Sequence, residues 1–179
     1  MDSDVGFPIL TALVLVPAIG SVLVALTGTR RPEIVKLVGL VVATLTLALT
    51  IWTIAAFSTA DAGFQFVSKH TWIEEWGISW HLGVDGISLL LVALTGLLFP
   101  LVMVAVQPHH DDKSYLAWLL LLEAGMMGAF LSLDLFIFFI FFELTLVPMY
   151  FLIGGWGYEG RVNSALKFFL FTMFGSAFM

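Results

Sequence analysis

The stretch Asp134-Leu-Phe-Ile-Phe-Phe-Ile-Phe-Phe-Glu143-Leu-Thr-Leu-Val-Pro148-Met-Tyr-Phe-Leu152 is long enough to cross a bilayer and almost wholly apolar. It carries one carboxyl group near its centre and, five residues on, a proline. A charge at mid-bilayer depth costs at least about 2.5–3.5 kcal/mol on insertion scales, so the default reading of Glu143 is a functional site. Glu123 lies in the preceding apolar run, and only Ser132-Leu-Asp134 separates the two runs. Both glutamates are about ten residues from that turn. At 1.5 Å per residue they sit roughly 15 Å from it, which is half of a ~30 Å hydrocarbon core. Two carboxyl groups at the midplane are candidates for proton exchange, and if they face one another they titrate as a coupled pair. Pro148 cannot donate to the carbonyl of Leu144, so the helix is expected to weaken or kink just beyond Glu143. Thr145 or water would then satisfy the freed carbonyl, giving a hydrated pocket. Lys167 starts little more than a turn into the last apolar run. It either snorkels to the interface or points inward as a charge partner for a carboxylate. The alternative for Glu143 itself is a hydrogen bond to a neighbouring helix, acting as structural glue.

The elements that must position these groups are apolar helices. Sixty per cent of the residues are apolar and 11% charged, with a mean hydropathy of +1.05. Soluble domains carry roughly 25% charge, so the composition specifies an all-α polytopic membrane protein. The expected spans are about 5–26, 34–57, 87–106, 115–133, 134–153 and 162–179, in a single membrane domain of residues 1–179. One long loop, about 58–84, holds Trp72, Trp76 and Trp80. Their four-residue spacing suits one face of a short helix lying among the headgroups, or simple interfacial anchoring. Asp85 is placed to cap the third span, and the glycines after Ile153 to end the fifth. The sixth barely reaches across the hydrocarbon before Met179, so the sequence is expected to be the first part of a longer protein.

Several functions are excluded. There is no cysteine, so these residues hold neither an iron–sulfur cluster nor a disulfide. His70, His81, His109 and His110 offer no helical metal spacing with a carboxylate, and no basic cluster suits nucleic acid. Asp2 and Asp4 stand where the basic region of a cleavable signal would lie. With the N-terminus outside, Arg30, Arg31, Lys36, Lys113, Arg161 and Lys167 fall on the inner side and Lys69 alone on the outer. That asymmetry sets the orientation, with the tryptophan loop and Asp134 outside.

Three segments then resemble a known family. They are His81-Leu-Gly-Val-Asp-Gly-Ile-Ser88, Gly128-Ala-Phe-Leu-Ser-Leu-Asp134 and Phe142-Glu143-Leu-Thr-Leu-Val-Pro148-Met-Tyr-Phe-Leu-Ile-Gly-Gly-Trp156-Gly, and Ala165-Leu-Lys167-Phe-Phe-Leu-Phe-Thr172 looks like the family's sixth helix. The sequence resembles the NADH-quinone oxidoreductase (respiratory complex I) subunit M, or chain 4, family from about residue 70 onward. The resemblance implies an antiporter-like, proton-translocating subunit of about fourteen helices, built from two inverted five-helix repeats. Glu143 matches the fifth-helix glutamate that the family pairs with a seventh-helix lysine, a position beyond the residues here. Lys167 is not that lysine and inherits only a weak role.

The resemblance also implies no cofactor in this chain itself, with NADH, FMN, iron–sulfur clusters and quinone in partner subunits. The partners would be other membrane subunits of complex I, including neighbouring antiporter-like subunits, in the bacterial plasma (inner) membrane. The expected mechanism is protonation and deprotonation of Glu143, with Glu123 and Lys167 as possible participants and water entering at Pro148. The runner-up is a subunit of a multisubunit cation/proton antiporter or membrane-bound hydrogenase, which shares the glutamate–proline helix. A third reading is a structural membrane subunit with no proton path of its own. A carrier for a small solute would need paired helix breaks at the midplane, which the sequence lacks.

Overall fold

The computed structural model describes residues 8–27, 32–60, 63–105 and 112–178. Arg30, Arg31, His109, His110, Asp2 and Asp4 lie outside them. The described residues form six helices and one β-hairpin: α1 Ile9–Leu26, α2 Pro32–Ala56, β1 Gln65–Ile73, β2 Ile78–Val84, α3 Gly86–Ala105, α4 Asp112–Leu131, α5 Leu135–Trp156 and α6 Arg161–Ala177. All but α6 are long and apolar enough to cross a membrane. The chain is a helical, multi-pass membrane protein.

Helix α4 is the axis of the bundle. It packs against α1, α2, α3 and α5, while α6 lies along α5. Its buried face runs Leu116, Leu120, Glu123, Met127, Leu131, a three- and four-residue spacing that keeps these positions on one side of a helix. Small residues let neighbours approach closely. A methyl group on Gly128 would stand within the ring of Phe141 on α5, and one on Gly20 within the side chain of Val42. Such close backbone approach is how helices associate in lipid, where apolar burial alone drives little.

The caps fall where local chemistry puts them. Asp85 accepts the Ser88 N–H at 2.7 Å, and its own N–H donates to the Ser88 hydroxyl at 2.9 Å. This reciprocal pair satisfies otherwise orphan donors at the start of α3. The Ser88 N–H, first among these bonds, holds the Asp85 carboxyl below its ordinary value of 3.8.

The tryptophan loop departs from expectation. It is an antiparallel β-hairpin, joined through a short 3-10 turn at Glu74–Trp76 and Gly77. Gln65-Phe-Val-Ser-Lys-His-Thr-Trp-Ile is rich in β-branched and aromatic residues, which favour a pleated strand over a helix. Gly77, at φ +67°, supplies the left-handed turn. The tryptophans are therefore split instead of sharing a face. Trp72 and Trp76 are exposed, whereas Trp80 turns into the bundle. Its Nε1 donates to Thr11 of α1 at 3.2 Å, and its ring stands edge-on to Phe141, 5.8 Å between centroids.

Candidate functional site: two carboxyl groups within the bundle

The hairpin is fastened to the turn between α4 and α5. Leu133 N–H donates to the His81 carbonyl at 2.8 Å, and Leu82 bridges Ser132. Asp134 joins the two structures. Its Oδ1 accepts from Phe136 and Ile137 N–H at 2.9 and 3.2 Å, capping α5. Its Oδ2 accepts from Ser79 N–H and the Ser79 hydroxyl at 3.0 and 3.3 Å. Partial burial works to raise the Asp134 carboxyl, but the Ser79, Ile137 and Phe136 N–H groups outweigh it and hold it below 3.8. The hairpin, the start of α5 and Thr11 thus share one end of the bundle.

The register of α4 against α5 sets the depth of the two glutamates. Phe151 stacks on Trp118 at 4.5 Å, and a methyl group on Gly125 would touch Thr145. Glu123 is therefore level with Leu146 and Val147, about one helical turn, or roughly 5 Å, from the level of Glu143. The two carboxyl groups are near one another in depth but not side by side.

Their surroundings differ. Glu143 is half-buried on the side of α5 that meets α6, where the hydroxyl of Ser176 bonds to its Oε1. Glu123 is wholly buried, and among the described residues neither of its oxygens meets a hydrogen-bond partner. Burying a carboxyl group unpaired costs several kcal/mol, a cost that a bound proton, a water or an added partner removes. On the α2 side, Gly39 stands against Leu116, so Thr46, seven residues on in each helix, is level with Glu123. Thr46 turns its hydroxyl away, to the Val42 carbonyl at 3.1 Å.

Three buried prolines inside helices fall near the same depth. Ser21 of α1 donates to Ala117 of α4 at 2.8 Å, which puts Pro17 beside Leu121. The Gly96–Thr50 approach brings Pro100 of α3 level with Thr46. Pro148 is level with Leu121 and Leu122. Each removes one backbone donor, so the carbonyls of Leu13, Gly96 and Leu144 all lose their helical partner within about one turn of Glu123. Thr145 does not compensate at Leu144: its hydroxyl donates to the Phe142 carbonyl at 2.7 Å. Nor does Pro148 break the helix, since α5 runs on to Trp156.

Lys167 is exposed on α6. It lies nine residues from Ser176, about 13 Å along the axis, so the fold does not bring it to Glu143. Ser176 was not among the residues singled out from sequence. Its signal was position: Glu143 precedes the turn after Trp156, and Ser176 follows the turn before Arg161, at distances that differ by only about two residues. Among the described residues, no three His, Asp or Glu side chains are placed to hold a metal.

With this geometry in view, the profile described as "NADH-ubiquinone oxidoreductase chain 4, amino terminus" matches residues 34–131, more than half of the sequence. The chain belongs to the NADH-ubiquinone oxidoreductase chain 4 family. A second profile, "NADH:quinone oxidoreductase/Mrp antiporter, TM", matches residues 132–179. NADH-quinone oxidoreductase subunit M of Rickettsia conorii is 37% identical over 178 residues, covering 96% of this chain and 36% of its own length. The subunit M of Mycobacterium tuberculosis is 38% identical over 204 residues, with 96% and 37% covered. A chain in the structure of respiratory complex I from Thermus thermophilus with bound NADH superposes with a TM-score of 0.78 at 28% identity, covering 93% of this chain and 33% of that one. The chain therefore spans about a third of the length of the chain 4 family relatives it matches.

Proposed function

We propose that this chain is part of an antiporter-like membrane subunit of an NADH-quinone oxidoreductase, in which Glu143 takes up and releases protons. Electron transfer from NADH through FMN and iron–sulfur clusters to quinone belongs to partner subunits, and neighbouring membrane subunits transmit its energy. The orientation that follows from the lysines and arginines puts the N-terminus and the hairpin on the outer face of a bacterial plasma membrane.

The observation that carries the reading is the pair of mid-bundle carboxyl groups in different settings. Glu143 has a hydroxyl partner and a half-open face, suited to exchange. Glu123 is sealed one turn away, with no hydrogen-bond partner among the described residues, suited to hold a proton passed to it by intervening water. Lost backbone donors at the three prolines leave carbonyl acceptors around that same depth, where water would be held. Lys167, exposed about 13 Å along α6 from Ser176, takes no direct part.

Glu143→Gln tests the proposal in the assembled complex, because the amide keeps a hydrogen bond to Ser176 but cannot titrate. NADH-driven proton pumping should fall well below that of the unmodified complex. Normal pumping would leave Glu143 as structural glue between α5 and α6. The second reading, a cation/proton antiporter subunit, is favoured by the profile over residues 132–179, whose description names both groups. It predicts sodium- or potassium-coupled proton movement without NADH.

A further inference from the structure

We infer that Ser176 is a positioning residue whose single hydroxyl proton alternates between the Glu143 carboxyl and the Met173 carbonyl as Glu143 loses and gains a proton. This rests on the reading of Glu143 as a proton carrier and adds the group that answers its change of state.

The Ser176 hydroxyl is within hydrogen-bond reach of two acceptors, Glu143 Oε1 on α5 and the Met173 carbonyl of its own helix, the latter at 3.0 Å. A serine has one proton to donate and lone pairs to accept, so it cannot donate to both at once. With Glu143 ionised, Ser176 donates to the carboxylate and leaves the Met173 carbonyl. With Glu143 protonated, the carboxyl O–H donates to Ser176 Oγ, and the serine proton turns to Met173. Ser176 keeps its own proton throughout, and the proton gained or lost belongs to Glu143.

The pairing follows from helix register. Gly154 lies against Ala165, Tyr150 meets Phe169 edge-on at 5.7 Å, and Glu143 meets Ser176. In each pair the second residue advances along α6 as the first recedes along α5, step for step. Ser176 is 7% exposed, so its hydroxyl has little access to partners other than Glu143 and the Met173 carbonyl. Among the described residues, the other titratable groups stand further off. Glu123 is about one turn inward on α4, Asp134 is nine residues outward on α5, and Lys167 is nine residues inward on α6. Because the serine bond to a carbonyl of its own last turn is made and broken in the cycle, α6 senses the charge on α5.

The test uses the assembled complex and infrared difference spectroscopy of the carboxylic C=O stretch, with the Glu143 band assigned by its loss in Glu143→Gln. Ser176→Ala should move that band to higher wavenumber and lower NADH-driven pumping about tenfold, the scale of one hydrogen bond to a charged group. Ser176→Thr should restore both. Ser176→Cys, similar in volume but a weak donor, should move the band in the same direction by less. A Glu143 band unmoved in the Ala and Cys variants overturns the proposal, even if pumping falls, since a packing role alone would leave the band in place. Unchanged pumping in Glu143→Gln would overturn the proton-carrier reading itself, and the proposal with it.

Discussion

Replacing Asp134 by asparagine separates the two tasks of its carboxylate. Asparagine is as good a helix N-cap as aspartate, so the bonds to Phe136 and Ile137 survive. On the other side, an amide nitrogen replaces the oxygen that accepts from Ser79, and donor then faces donor. Ser79 is 6% exposed, so its N–H is left without an easy alternative in water. Losing a backbone bond to an ionised group costs about 2 kcal/mol. Hydrogen exchange reads this directly, because the Ser79 and Leu133 amides exchange when the hairpin lifts from the α4–α5 turn. About 2 kcal/mol corresponds to roughly thirtyfold faster exchange at both. Asp134→Ala also loses the cap, worth about 1 kcal/mol more, and should extend the effect to the first turn of α5. If Asp134→Asn leaves Ser79 and Leu133 exchanging at the original rate, the carboxylate is not what holds the hairpin.

Acid should act on the same joint. The folded Asp134 carboxyl lies below 3.8, so its contribution is complete above that value and is lost as pH falls through the folded one. Hairpin exchange corrected for intrinsic rate should be flat from neutral pH to about 5 and rise below about 4. Glu123→Leu fills the same buried site without a polar group, so thermal stability should hold or rise by about 1–3 kcal/mol while proton pumping falls. A stability loss together with full pumping would show that the carboxyl is structural. Gly128→Ala forces Phe141 and α5 away from α4 and should destabilise by about 1–3 kcal/mol, measured by thermal unfolding in detergent. Pro148→Ala returns a donor to the Leu144 carbonyl. It should stabilise α5 and slow pumping, and an unchanged rate would separate that carbonyl from the proton path.

The helices and caps were legible because each depends on nearby residues. An unbroken apolar run, a Ser132-Leu-Asp134 turn and an aspartate three residues before Ser88 specify α5, its antiparallel partner and the start of α3 without distant contacts. The hairpin was not legible from tryptophan spacing. Four-residue spacing fits a helix, but it does not exclude a hairpin with Trp72 in β1, Trp76 in the 3-10 turn and Trp80 in β2. Counting outward from one turn set the two glutamates at matching depth, whereas the packing of α4 on α5 offsets them by about one helical turn. Their surroundings came from the remaining packing: which face of α4 met α2, and which residue of α6 stood opposite Glu143. Lys167 illustrates the same limit, since its charge was evident and its distance from Glu143 was not.

The alignment of Pro17, Pro100 and Pro148 has a mechanical consequence. A helix resists bending through its ladder of backbone bonds, and each proline takes out a rung. With one rung missing at the same height in each, α1, α3 and α5 bend most easily there, while α2 and α4 pass that height with their ladders whole. Force on the three proline helices would therefore flex them beside Glu123, against an unbroken α4.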